Sequence, residues 1–144
     1  MIRIDTREQL PYSFTTSAEL GTLSVGDYSL SGLENTISLE RKSLNDLVGS
    51  LTYERERFER ELANAMPLEY FALVLECSLS DLVNKRYRSA ASPKSIIQSL
   101  LTFSVRYRLP VWFAENRNYA QRLVESLLSK FEREKTQRRG QVDA

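Results

Sequence analysis

The stretch TISLERKSLNDLVGSL, residues 36–51, changes its period in the middle. Ile37 and Leu39 alternate with Ser38 and Glu40, which predicts a strand over Thr36 to Lys42. Ser38, Glu40 and Lys42 share one face, and Ile37 and Leu39 turn the other way toward a core. Ser43 is then placed as the N-cap of a helix, SLNDLVGSL. Upstream, GTLSVGDYSL (residues 21–30) reads as a strand that pauses at Gly26-Asp27. The turn signals Ser31-Gly32 and Glu34-Asn35 fold it back on the first stretch as a hairpin. MIRID, residues 1–5, alternates like a short strand, and residues 6–19 read as an irregular connection. Downstream, a charged helix is expected from about Tyr53 to Ala65, closed by Pro67. YFALVLE (residues 70–76) is nearly all apolar, as in a central strand covered on both faces. A short helix near Ser80 to Asn84 follows. Ser92-Pro93 then starts a buried helix that ends at Pro110. VWFA (residues 111–114) is a last strand, and Asn116 to about Lys135 a last amphipathic helix. The order β-β-β-α-α-β-α-α-β-α predicts an α/β sandwich with a mixed sheet. One domain is expected over residues 1–135, with a polar, frayed tail over 136–144.

Composition narrows the chemistry. The 144 residues are 42% hydrophobic and 27% charged, with a net charge of +1. There is one cysteine, so no intrachain disulfide framework or cysteine-rich zinc site can form. There is no histidine, which removes Ser-His-Asp and Cys-His triads, HNH chemistry and the HExxH metalloproteases. No apolar run is long enough to span a membrane, since FALVLE breaks at a glutamate. Because strand-like MIRID stands at residues 1–5, no signal or transit segment is expected. An unpaired cysteine and the lack of an export signal lead to the expectation of an intracellular, cytoplasmic protein. With so small a net charge, any hold on nucleic acid must come from local patches.

The hairpin is the place for chemistry. If the two strands pair, Asp27 comes beside Glu40, and two carboxylates meet the Lys42 ammonium at one sheet edge. Carboxylates suit hard cations such as Mg²⁺ or Mn²⁺, and a lysine can position a water or offset charge on a phosphoryl oxygen. These are the parts needed for metal-assisted phosphodiester hydrolysis. Asp5, at the end of the first strand, is a further candidate acid. The alternative is a solvated strand face, since Glu-x-Lys arises easily in a charged chain.

Gly26-Asp27-Tyr28 followed by Glu40-Arg41-Lys42-Ser43-Leu44-Asn45-Asp46 resembles the GD…ERKxxxD signature of the XPF-type structure-specific endonucleases. Asp5-Thr6-Arg7-Glu8 is similar to the family's segment after its first strand. Ser50-Leu51 with Arg55 and Arg57-Phe58 resembles its SL…R…RF segment, and residues 92–114 resemble stand-alone phage and prophage members. The resemblance implies a restriction-endonuclease-like, PD-(D/E)xK fold: a three-layer sandwich with a central mixed sheet flanked by helices. It implies a Mg²⁺-dependent DNA endonuclease, with Mn²⁺ able to substitute, acting on branched, flapped or junction DNA. Asp27, Glu40 and the Arg41 carbonyl would hold the metal, and Lys42 would serve the water or the scissile phosphate. Asp5 and Asp46 would be supporting acids, and Arg7 would contact phosphate or fix a carboxylate. A homodimer is expected whose contact uses the final helix together with Trp112 or Phe113, two residues that otherwise read as core. Eukaryotic and archaeal members carry a tandem helix-hairpin-helix module after this domain, for which these residues leave no room. Glu54 stands where many relatives have glycine. Two other readings remain beside this one: a non-cleaving DNA-binding scaffold, and a junction resolvase or repair nuclease.

Lys85-Arg86-Tyr87-Arg88, with Lys94 beyond, places an aromatic inside a basic cluster. It reads either as a phosphate grip with a stacking ring or as a solvated loop. Arg55, Arg57 and Arg60 alternate with glutamates at helical spacing and read as a self-paired face. Cys77 reads as a small hydrophobe.

Overall fold

The structure, a computed structural model, describes residues 1–143. Six strands form one mixed sheet: β1 (Ile2–Ile4), β2 (Ala18–Leu20), β3 (Tyr28–Leu30), β4 (Ile37–Lys42), β5 (Tyr70–Leu75) and β6 (Val111–Phe113). Their spatial order is β2-β1-β3-β4-β5-β6. β1–β3 and β3–β4 are antiparallel, and the remaining pairs are parallel. The helices are α1 (Leu44–Leu51), α2 (Arg55–Ala65), α3 (Leu79–Val83), α4 (Pro93–Arg106) and α5 (Arg117–Asp143). Among the described residues no helix is long and apolar enough to cross a membrane.

Both sheet faces are covered, which is why β5 reads as an unbroken apolar run. Leu73 and Leu75 pack with Leu47, Phe58, Leu62 and Phe103 from α1, α2 and α4. Ala72 and Val74 pack on the opposite face with Ala120, Val124 and Leu128 from α5. Each such fully buried leucine contributes roughly 1.5–3 kcal/mol. The β4–α1 junction forms as its sequence predicts: the Ser43 side chain accepts from the Asp46 N–H and caps α1. Ser92 caps α4 in the same way, with Pro93 in its first turn.

Three expectations change. Ala18 and Glu19, expected in an irregular connection, form β2 with Leu20 beside β1. All three are exposed on an edge, so no burial pattern marks them. The strand expected over residues 21–30 is confined to Tyr28–Leu30. Gly26 turns the chain with φ +81°, and a Cβ there would lie 2.0 Å from the Ser38 hydroxyl, so only glycine fits. The last helix, expected to stop near Lys135, continues to Asp143, because residues 132–138 are mostly good helix formers. Of the expected tail, Ala144 lies outside the described residues.

Candidate active site

The turn at Gly26 delivers Asp27 to the head of β3, where Tyr28 pairs with Leu39. Asp27 is fixed from three sides. Its N–H donates to Leu39 O at 2.8 Å, and its carbonyl accepts from Asp5 N at 2.9 Å. Its Oδ2 accepts from the Arg41 N–H at 2.9 Å. Glu40 and Lys42 share the strand face that looks toward α2. Lys42 Nζ lies 3.3 Å from Glu40 Oε2 and 4.8 Å from the centroid of the Phe58 ring. The hairpin thus assembles Asp27, Glu40 and Lys42, all on the wall of a cleft of about 710 Å³.

The charges in this corner are under tension. Burial pushes the Asp27 carboxyl up to about 7; Glu8 adds to this, while the Arg41 N–H, the Glu40 carboxyl and Lys42 oppose it. Glu40 is raised well above the usual carboxylate range, by burial first and then by the charges of Asp27 and Glu61. For Lys42 burial works against the ammonium, but Glu40 and Glu61 overcome it and hold the lysine charged. Glu61, on α2, is a site residue the sequence reading missed. It precedes the buried Leu62 in α2, and nothing in one sequence tells which sheet edge that helix flank will face.

The other expected residues take distinct places. Asp5 lines the same cleft but is buried, and both of its oxygens are engaged. Burial penalises its charge. Bonds from Arg7 Nε (2.8 Å) and from the Arg7 and Leu23 N–H groups (3.3 and 2.8 Å) outweigh this and leave its pKa lowered. Arg7 also donates to Leu23 O at 2.6 Å, yet its side chain remains 68% exposed at the cleft. Asp46 is exposed on the rim, in the first turn of α1. The Arg41 side chain leaves by the opposite sheet face: its guanidinium lies 3.6 Å from Glu8, 4.0 Å from Glu76 and over the Tyr12 ring. Only its backbone serves the carboxylates.

The basic segment after α3 is outside the cleft lining. Arg86 pairs with Asp81 at 2.8 Å, and Lys85 and Arg88 are exposed. Tyr87 is buried with its hydroxyl on Ala91 O, so it is no exposed stacking ring. The Arg88 N–H donates to Asn45 Oδ1 at 3.1 Å, which ties this loop to the first turn of α1, beside Asp46. The self-paired reading of α2 holds only for Arg57, which meets Glu54 at 3.1 Å. Arg55 instead donates to Ser99 Oγ at 2.7 Å and lies over Phe103. Among the described residues Arg60 has no ion pair, and it lines the cleft with Arg57.

Residues 4–127, which include every one of these cleft groups, match the ERCC4 domain. The chain belongs to the ERCC4 domain family. Its fold is that of XPF from Aeropyrum pernix: against the structure of that protein in complex with DNA the TM-score is 0.73 at 20% identity. That match covers 92% of this chain and 64% of the other. A second structure of the same protein gives 0.72 at 21% identity, covering 89% and 59%. The chain therefore spans about three fifths of the XPF structures it matches. A comparison with curated proteins finds no match. The architecture of this ERCC4 domain is the restriction-endonuclease-like α/β fold, a central mixed sheet between helical layers.

Among the described residues no group of three or more His, Cys, Asp or Glu forms a ready-made metal cage. The donor set still fits a hard divalent cation. Mg²⁺ keeps several waters and is commonly held by one or two carboxylates. Asp27 and Glu40 are two buried oxygen donors, and a cation would offset the Asp27 charge that weighs on Glu40.

Proposed function

We propose that this ERCC4 domain is a metal-dependent endonuclease that hydrolyses phosphodiester bonds in branched, flapped or junction DNA. The observation that carries the reading is the convergence of Asp27, Glu40 and Lys42 on one cleft wall, with both carboxyls pushed upward. Asp27 and Glu40 would hold Mg²⁺ or Mn²⁺, with the Arg41 carbonyl as a further ligand. When bound, the ion supplies Lewis-acid polarisation of a phosphoryl oxygen and a more acidic water. The Arg41 N–H keeps Asp27 Oδ2 in place, so one oxygen is committed to the fold and the other is left for the ion. Lys42 stays charged beside Glu40 and orients the attacking water or offsets charge on the phosphoryl group. Products with a 5′-phosphate and a 3′-hydroxyl follow from the family resemblance.

Asp5 acts through Arg7, whose guanidinium it fixes at the cleft for contact with a phosphate. Asp46 is a supporting acid at the rim. Lys85, Arg86 and Arg88 serve as an outer phosphate grip, held next to the rim through Asn45. A homodimer, with Trp112 on the exposed edge strand at the contact, completes the proposal. A non-cleaving scaffold has no need of a raised carboxylate pair beside a half-buried lysine, and this speaks for the enzyme. The test is a panel of labelled flap, fork, junction, nicked and linear DNAs, each with Mg²⁺ and with EDTA. Cleavage of a branched member that needs the metal supports the reading. Binding without cleavage across the panel, at any metal concentration, overturns it.

A further inference from the structure

Leu10 is 70% exposed, yet its backbone carbonyl is tied to two other elements. Its carbonyl accepts two guanidinium bonds from different elements: Arg41 Nη1 of β4 at 2.9 Å and Arg117 Nη2 of α5 at 2.7 Å. Arg117 also reaches Pro11 O at 3.1 Å, and the proline ring fixes φ immediately after the leucine. The Tyr12 ring lies 4.8 Å from each of the same two guanidinium groups and stacks on Tyr28 at 5.1 Å. An isolated exposed leucine is ordinary on a protein surface. This one differs in position as well as rigidity, because Leu10 lines the cleft that holds Asp27, Glu40 and Lys42.

The geometry points to Leu10 as an apolar wedge for an unstacked base. We infer that its side chain packs on a base freed at a break in duplex stacking, at the mouth of the cleft, and so favours branched over continuous DNA. Proteins that open or kink a duplex do so with such apolar side chains, and these work only when the backbone behind them does not yield. Arg41 links the two functions, since its N–H holds the Asp27 carboxylate and its guanidinium holds the wedge. The inference rests on the cleft being a DNA site, as proposed above, and concerns which DNA it selects.

The test needs no cleavage. A Y-fork with 2-aminopurine at the first paired position of the branch, and the matching unbranched duplex, are titrated with protein in EDTA. The wild type should bind the fork more tightly and raise 2-aminopurine fluorescence as the base leaves the stack. Leu10→Ala should lose fork affinity by at least about tenfold, the size of one leucine's apolar contact, and lose the fluorescence change. Its affinity for the duplex should fall far less. Leu10→Met should recover most of both signals. Arg117→Gln, a positioning change, should give an intermediate loss of the fluorescence response. Leu10 is mostly in solvent, so folding is not at risk, and matching thermal melts verify it. A Leu10→Ala protein that keeps both the fork preference and the fluorescence change overturns the wedge, as does a wild type that shows neither. A protein that passes this test but never cleaves with Mn²⁺ sinks the endonuclease reading and leaves the wedge standing.

Discussion

Asp27→Asn should make the metal-free protein more stable at alkaline pH, although it removes one of the two carboxylates proposed to hold the metal. The structure gives the size. Burial and the Glu8 charge move the Asp27 carboxyl from 3.8 to about 7, and that distance is worth ~4 kcal/mol. Asparagine still buries a polar amide, so the gain expected from the substitution is smaller, ~2 kcal/mol. A group raised on folding contributes stability below its unfolded value, and that contribution is lost as pH rises through the folded one. The wild type should therefore weaken between about pH 4 and pH 8, and the asparagine variant should weaken less. The asparagine carbonyl can still accept the Arg41 N–H, so the turn is kept. For a domain of this length ~2 kcal/mol corresponds to ~6 °C in Tm. Thermal melts in EDTA at pH 5 and pH 8 read the difference directly. Excess Mn²⁺ should then raise the wild-type Tm by mass action and leave the variant unmoved. An Asp27→Asn protein that melts at or below the wild-type temperature at pH 8 in EDTA would refute the picture of a strained, cation-seeking pair.

Glu40→Gln should abolish calorimetric Mn²⁺ binding and DNA cleavage together; loss of cleavage with full metal affinity would reject Glu40 as a ligand. Glu61→Gln should let Glu40 ionise at lower pH, moving the midpoint of pH-dependent Mn²⁺ binding downward; a midpoint that stays put removes Glu61 from the site. Replacing Lys85, Arg86 and Arg88 together should flatten the salt dependence of DNA binding by about 0.9 in log–log slope for each phosphate the loop no longer neutralises. An unchanged slope would transfer the phosphate grip to Arg57 and Arg60 on the cleft.

The strand–helix switch at residues 36–51 was legible because it is local: alternation, then a serine cap, then a helical stripe. The pairing of Asp27 with Glu40 was legible for the same reason, since a hairpin brings near residues in sequence together. β2 was hidden because an exposed three-residue edge strand has no buried face to pattern it. Glu61 was hidden because its role depends on how α2 lies across the sheet, and its own helix shows only which residues are buried. Tyr87 looked like a stacking ring in a basic loop, and only packing against the core reveals that it is buried. The Arg41 side chain is the subtlest case. Strand alternation sends it away from Glu40 and Lys42, but its tie to the chain at Leu10 spans 31 residues of sequence.

In the proposed mechanism Lys42 serves the chemistry while Asp27 and Glu40 serve the ion. Single-turnover cleavage of a flap or fork by Lys42→Ala, beside Mn²⁺ calorimetry on the same protein, tests it most directly. Metal binding should persist, slightly strengthened by removal of a like charge, while the rate falls about 10²–10³-fold. A Lys42→Ala enzyme that cleaves at the wild-type rate would contradict it.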